Sequence, residues 1–400
     1  MSLTAARLSL VNPSASEGAS QKARDLVAAG VDVISLATGE PDFDTPDHVI
    51  DAAIAALRDG QTRYTGTGGT PELRSAIVEK FGRDNGISYK LTEVMATAGT
   101  KNMIFLALVA SLDPGDEVIV PAPHWVSYTE MTKMAGGTPV VVSCAQNNGF
   151  KLDADSLEQA ITPRTRWLML NTPCNPSGAV YSREDLAALA DVVRRHPQVL
   201  VMTDEIYEHI IFDRVKFHSF AEVAPDLKDR TLTLNGVSKG YAMTGWRIGF
   251  AGGPAELIAA MKKVQSQSLG SISSISQAGA VAALLGPQAY LQERADAFQA
   301  RRDRVIALLD AVPGLRCHRP EGAFYLFVEC SGLIGRRTPK GALLEGDTDV
   351  AEYFLDEARV VVVNGTAYGI SPYFRLSIAT SMERLEAACA RLAAAVARLK

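Results

Sequence analysis

Residues 167–207 read WLMLNTPCNPSGAVYSREDLAALADVVRRHPQVLVMTDEIY, and this run decides the fold. Trp167–Leu170 and Val199–Thr203 are apolar runs of strand length. Between them, Glu184–Arg195 repeats its apolar residues at helical spacing. Strand, helix and strand in that order make a right-handed crossover between parallel neighbours. The strands are apolar at nearly every position, as when helices cover both faces of a sheet. Both strands end in polar residues, Asn171-Thr-Pro-Cys-Asn175-Pro176-Ser-Gly178 after the first and Asp204-Glu-Ile-Tyr207 after the second. Ligands of open α/β sheets gather at the carboxyl ends of the strands.

The same alternation extends outward from this run. Val31–Leu36, Val118–Val120, Val140–Val142, Thr231–Leu234 and Ile248–Ala251 read as further strands. Thr45-Pro46-Asp47 reads as a helix start, with Thr as the cap and Pro in the first helical position, and Gly60 as its stop. Thr70-Pro71-Glu72 repeats the device, and Pro254 opens another helix. The pattern predicts an α/β fold: a mostly parallel central sheet with helices on both faces. After the long helical pattern Gln288–Leu309 the order changes to Ala323–Val328, Val360–Val363, Tyr373–Ile378 and a final helix from Met382. This tail predicts a smaller α+β domain. Gly332–Gly346 reads as a surface loop.

Composition narrows the function classes. The chain has 400 residues, 47% hydrophobic and 21% charged, which is ordinary globular usage. Its net charge of −5 argues against a nucleic-acid binder held by phosphate contacts. Five cysteines without a C-x-x-C pair argue against a disulfide framework and for a reducing cytoplasm. The first twenty residues lack a basic head followed by a long apolar run, so no signal peptide is expected. The longest apolar run, Met103–Leu112, is well short of the ~18 residues of a membrane span.

Two more clusters complete the set at the strand ends: Ala98-Gly99-Thr100-Lys101 before an apolar helix, and Ser238-Lys239-Gly-Tyr-Ala-Met-Thr-Gly-Trp-Arg247 after a strand. Taken together, S-K-x-x-x-x-T-G-x-R, N-P-x-G and D-E-x-Y make the chain resemble the class I (aspartate-type) aminotransferases. These are pyridoxal 5'-phosphate enzymes of fold type I, and the likeness is greatest to their bacterial aspartate branch. It runs from Pro13-Ser14 through Ala37-Thr-Gly-Glu-Pro-Asp-Phe-Asp-Thr-Pro46 to Phe374-Arg375-Leu-Ser.

The resemblance implies roles residue by residue. Lys239 would form the Schiff base with the cofactor aldehyde and then shuttle the proton at the substrate α-carbon. Asp204 would pair with the pyridinium nitrogen, and Tyr207 and Asn175 would donate to the ring phenolate oxygen. Glu205, adjacent on a strand, should point away. Gly99, Thr100, Ser238 and Arg247 would hold the phosphate, and Trp125 would stack on the ring. Tyr64 would reach the phosphate of a neighbouring subunit in a homodimer. Arg375 would grip the substrate α-carboxylate with Gly39 beside it, and Lys101 and Ser16 would meet a distal carboxylate. The implied organisation is an N-terminal segment, 1–45, joining a small domain of 291–400, with a large cofactor domain of 46–290. The implied reaction is ping-pong transfer between an amino acid, aspartate first, and 2-oxoglutarate. Aromatic or prephenate-like donors, or C–S bond cleavage, are the alternatives.

The sequence departs from the pattern in places. Gln265–Gln277 contains no Arg or Lys to hold a distal carboxylate from a partner subunit. Glu17-Gly18 follows Ser16 where small apolar residues are expected, and an inward Glu17 would repel a distal carboxylate. Gly236 lacks a hydroxyl that some relatives carry three residues before the lysine.

Other readings account for less. Gly236-Val-Ser238-Lys-Gly240 matches the G-x-S-x-G elbow of α/β-hydrolases, with His318 as a base, but leaves Asn175, Asp204, Tyr207 and Arg375 without a role. Gly66–Pro71 lacks the last glycine of a dinucleotide loop. His209 and His218 read as packing residues rather than metal ligands. A cofactor-sensing regulator would need a DNA-binding module ahead of the domain.

Overall fold

Seven strands build the larger sheet: Val94–Thr97 (β1), Glu117–Ala122 (β2), Thr138–Ser143 (β3), Thr165–Asn171 (β4), Leu200–Asp204 (β5), Thr231–Gly236 (β6) and Gly249–Gly252 (β7). They come from a computed structural model that describes residues 3–400; Met1 and Ser2, the start of the expected segment 1–45, lie outside the described residues. The order across the sheet is β1-β7-β6-β5-β4-β2-β3. From β6 to β3 every neighbouring pair is parallel. Only β7 is reversed, antiparallel to both β6 and β1.

The reversal has a local cause. Residues 237–248 between β6 and β7 contain only a short 3₁₀ turn, Thr244–Trp246, and no crossover helix. A parallel return needs a longer connection, usually a helix. The apolar run at Ile248–Ala251 marks a strand but says nothing of its direction. β1 itself has no counterpart among the strands read from sequence.

Strand alternation sends side chains to two apolar layers. Val118, Val120, Met169 and Met202 pack with Met103, Leu106 and Ile258. Ile119, Leu168, Leu170 and Val201 pack with Leu186, Leu189 and Val193 of helix Arg183–Arg195. Both faces are covered, which is why these strands read as continuous apolar runs.

A four-stranded antiparallel sheet follows in the tail, in the order Val363–Asn364, Tyr373–Ser377, Tyr325–Glu329, Arg316–Cys317. Phe324, Leu326, Phe374 and Leu376 share a core with Phe298, Val305, Leu385 and Leu392 of the helices Ala289–Leu309 and Met382–Val396. Arg375 lies on an inner strand, opposite Phe327 on one side and Val363 on the other.

Three sequence expectations are corrected. The run Val360–Val363 is split: Val360–Val361 pairs in parallel with Ile34–Ser35, while Val363–Asn364 joins the four-stranded sheet. The Val31–Leu36 strand shortens to Ile34–Ser35, which pairs with that two-residue segment. Thr45 does not cap its helix, which spans Asp47–Arg58 with Pro46 at the N-cap. Its hydroxyl instead donates to the Ala242 carbonyl at 2.9 Å and accepts from Trp246 Nε1 at 3.0 Å. Thr70 does cap, accepting from Leu73 N at 3.2 Å with Pro71 behind it. Among the described residues no helix is long and apolar enough to cross a membrane.

Candidate active site

Sheet register brings the polar strand ends to one edge. Asn171 lies opposite Asp204, Asp204 opposite Leu234, and Gly236 opposite Gly249. Asn171 Nδ2 donates to the Asp204 carbonyl at 2.8 Å, and its Oδ1 accepts from Asn175 N at 2.8 Å. One amide side chain thus ties the Asn-Pro turn to the next strand.

The Asp204 carboxylate is buried and accepts from Tyr128 Oη at 2.8 Å. Burial nevertheless pushes its pKa up to about 6, against the lowering effect of that bond and of the Lys239 charge. A carboxylate in this state favours a cationic hydrogen-bond donor. Glu205 turns to the other face, as strand alternation predicts. It accepts from Ser219 Oγ at 2.7 Å and Thr203 Oγ1 at 2.9 Å, and burial, then Glu208, raise its pKa to about 8.

Beside these strand ends the helix Thr100–Ser111 begins at Gly99 with no side-chain cap, so its first N–H groups remain open to an anion. Gly99 has φ +89°, and a Cβ there would collide with the Arg247 guanidinium. A Cβ on Gly236 would stand 2.7 Å from Thr100 Oγ1. That hydroxyl donates to the Asn235 carbonyl at 3.0 Å, so the space of a hydroxyl side chain at position 236 is already taken. Arg247 donates to the Thr244 carbonyl at 2.8 Å. The result is a cradle of N–H groups and one guanidinium, suited to a phosphate.

Lys239 Nζ donates to the Gly39 carbonyl at 2.5 Å. Burial lowers its pKa to about 8; the Glu40 and Asp204 charges oppose this and those of Arg375 and Arg247 assist it. A substantial neutral fraction of the amine is therefore present near neutral pH. Tyr207 Oη lies 3.0 Å from Tyr325 Oη, and burial holds the Tyr207 phenol protonated, well above its ordinary range.

Arg375 is 2% exposed. Its Nη1 donates to Asn175 Oδ1 at 3.0 Å and its Nη2 to the Ala37 carbonyl at 2.5 Å. The guanidinium carbon lies 4.4 Å from the ring centre of Tyr325 and 5.2 Å from that of Tyr368. Its Nε has no partner, and among the described residues no carboxylate pairs with it. A buried cation of this kind is set up to receive a carboxylate from outside the chain.

One cavity of about 490 Å³ joins these groups. Lys239, Asp204, Tyr207, Asn175, Thr100, Trp125, Ser238, Arg247, Arg375, Gly39, Lys101 and Ser16 all line it. Gly99 borders it through Arg247. Tyr64 is 98% exposed and lies outside its walls. Ser238 faces the cavity, but His318 packs edge-on against Phe150 instead of approaching it, so the hydrolase elbow lacks its base. His209 Nε2 sits 3.2 Å from Glu208 and its ring packs on Tyr241, while His218 pairs with Glu222 at 3.0 Å.

Sequence reading missed several wall residues. Tyr128 follows Trp125 by three residues, meets its ring edge-on at 5.4 Å, and could have been found by that spacing. Tyr325 carries no local motif and meets Arg375 only through the fold, as does Tyr368, which is not part of the wall. Arg24 and Glu40 were also missed, and Glu17 does face the cavity mouth.

Known proteins share this fold and much of this sequence. Residues 31–392 match the family described as aminotransferase class I and II. The chain is 52% identical over 395 residues to an aspartate aminotransferase of Rhizobium meliloti, covering 99% of this chain and 96% of the relative. It is 52% identical over 392 residues to an aspartate/prephenate aminotransferase of Cereibacter sphaeroides, covering 98% of each. A crystal structure of the aspartate aminotransferase from Rhizobium meliloti superposes with a TM-score of 0.97 at 51% identity over 100% of both chains. The aspartate aminotransferase from Thermus thermophilus with maleate gives 0.92 at 42% identity, over 99% of this chain and 100% of that one.

Proposed function

The chain belongs to the class I and II aminotransferases, and from that premise we propose that it moves an amino group between aspartate and 2-oxoglutarate, using pyridoxal 5'-phosphate held in the cavity at the sheet edge. The observation that carries this reading is the convergence of Lys239, Asp204 and Arg375 on one cavity. The residues fit the cofactor. The open helix start at Gly99–Thr100, with Ser238 and Arg247, suits the phosphate. Asp204 suits a protonated ring nitrogen, Trp125 a ring face, and the Lys239 amine, whose pKa is lowered to about 8, an aldehyde.

When bound, the cofactor supplies an electron sink for breaking a bond at the substrate α-carbon. The chain does the rest. Arg375 binds the α-carboxylate through its free donor edge, with the Gly39 backbone alongside. Asn175 Oδ1 is engaged by Arg375, which leaves its Nδ2 free to donate to the ring oxygen. Tyr207 donates there as well when its own oxygen accepts from Tyr325. Lys239 Nζ would take the proton from the substrate α-carbon as a general base and deliver it to the C4′ carbon of the cofactor as a general acid. Its pKa of about 8 suits both duties near neutral pH.

For the substrate's far end, Lys101 stands at the mouth with Nζ 4.8 Å from the Trp125 ring centre, near Ser16, whose Oγ is 3.1 Å from Tyr368 Oη. The Thermus relative carries the dicarboxylate maleate, which supports an acidic substrate. Glu17 beside this mouth favours a second reading, in which bulkier or less acidic donors, prephenate-like ones included, are also taken.

The same proposal includes a homodimer in which the exposed Tyr64 completes the partner's phosphate site, and a cytoplasmic location. It also includes a large domain of 46–290 closing against a small one formed by 1–45 and 291–400.

The test is the half-reaction. The cofactor-loaded protein is mixed separately with aspartate, glutamate, phenylalanine, alanine and cysteine, without any oxo acid. The visible spectrum should convert to that of the amine form with aspartate and glutamate. Conversion by phenylalanine or alanine alone would replace aspartate as the donor, and pyruvate release from cysteine with an unchanged spectrum would indicate a lyase.

A further inference from the structure

The mouth of the cavity holds two cations and one carboxylate that the family reading does not use together. Glu17 stands in the first turn of helix Ala15–Ala28, where its N–H donates to the Ser14 cap at 3.4 Å. Its neighbour Ser16 is tied to Tyr368. The backbone of Glu17 is therefore pinned, and only its side chain can choose a partner. In the structure that partner is Arg24, two turns along the same helix face, whose Nη2 lies 2.7 Å from Glu17 Oε1. Arg24 is held in place by Gln21 Oε1, which accepts from its Nη2 at 2.6 Å and from its Nε at 3.1 Å. Gln21 is held in turn by its own bond to Asp25 at 2.7 Å.

The second cation is Lys101. Its ammonium lies over the Trp125 ring and, among the described residues, has no carboxylate partner. Burial and then Arg247 lower the Lys101 pKa, and the Glu17 charge is close enough to oppose them. Released from Arg24, Glu17 would be free to turn to Lys101, which lines the same cavity and has no carboxylate partner among the described residues. It would then occupy the place of a substrate carboxylate.

We propose that Arg24 is a positioning residue for substrate selection: it holds the Glu17 carboxylate at the rim and so keeps Lys101 open to the distal carboxylate of a dicarboxylic amino or oxo acid. This rests on the reading that Lys101 serves the distal carboxylate. Arg24 need not touch the substrate. Its effect passes through Glu17, and that makes it separable by a second substitution.

The experiment is a set of single-turnover half-reactions of the cofactor-loaded protein, reading apparent Kd and maximal rate for aspartate and for phenylalanine. Arg24→Ala should raise the apparent Kd for aspartate about fivefold, the scale of one partly exposed ion pair, with the maximal rate and the phenylalanine values within about twofold. Adding Glu17→Gln to Arg24→Ala should return aspartate to the wild-type value or below. Equal effects of Arg24→Ala on both donors, or no recovery in the double variant, would overturn the proposal; the latter would mean that Arg24 meets the substrate itself. Lys101→Ala in the same assay separates the two levels. If it leaves aspartate unchanged, the underlying reading of Lys101 fails. If it weakens aspartate while Arg24→Ala does not, only the role of Arg24 fails.

Discussion

The deep end of the cavity and its mouth are built on opposite principles. At the deep end, Asn171, Asp204 and Gly236 are placed by strand register, and Asp204 and Asn175 are almost fully buried. Their hydrogen bonds are short and mutual, so each side chain has one place to be. At the mouth, Glu17, Arg24 and Lys101 come from two helices and are partly exposed, and their pairing can be exchanged without unfolding anything. The first arrangement suits a group common to every turnover. The second suits a choice among substrates, where differences of a few kcal/mol are sufficient.

Four measurements would break or sharpen this contrast. The largest effect belongs to the deep end. Lys239→Ala should lower transaminase turnover by at least about 10³-fold, while equilibrium dialysis still shows non-covalent cofactor binding. Substantial residual turnover would remove Lys239 from the reaction.

Next is a pH dependence set by burial. In the proposed role of Lys239, covalent uptake of cofactor by the apoprotein needs its neutral amine. Because the Lys239 pKa is lowered to about 8, the uptake rate should climb about tenfold per pH unit below that point and level off above it. A rise that continues toward pH ~10, as for an ordinary lysine, would show that the amine is solvated in the apoprotein.

At the mouth the effects should be smaller and selective. Lys101→Ala should weaken aspartate about tenfold and leave phenylalanine nearly unchanged, as expected for a single point charge meeting a carboxylate. Equal loss for both would assign Lys101 to the phosphate or to the fold. The smallest effect should come from Tyr128→Phe, which removes one donor from Asp204. A loss of about three- to tenfold in kcat, with KM little changed, is expected for one hydrogen bond to a charged group. No change would mean that the cofactor's ring nitrogen alone sets the Asp204 charge.

Much of the deep end is legible in the sequence. Asn175, Asp204, Tyr207, Lys239 and Arg247 sit in short motifs directly after strands, and a strand end points its residues to the sheet edge whatever the rest of the chain does. Tyr128 is within reach of the same reasoning. Tyr325 is not: it meets Tyr207 from 118 residues away and only because the small sheet closes over the large one. The reversed β7 and the divided Val360–Val363 run are also hidden, since an apolar run shows that a strand forms but not which neighbour it takes or in which direction.

The sequence by itself determined the α/β layering, the positions of most strands, the family and many of the residues that line the cavity. These depend on local periodicity and on motifs a few residues long. Only the tertiary structure decided the rest. It set Arg375 between two tyrosine rings, filled the space beside Gly236 with the Thr100 hydroxyl, shifted the pKa values of Asp204 and Lys239 by burial, and turned Glu17 toward Arg24. Each of these depends on which distant groups share a small, poorly solvated volume, and that is a property of packing that no local stretch of sequence contains.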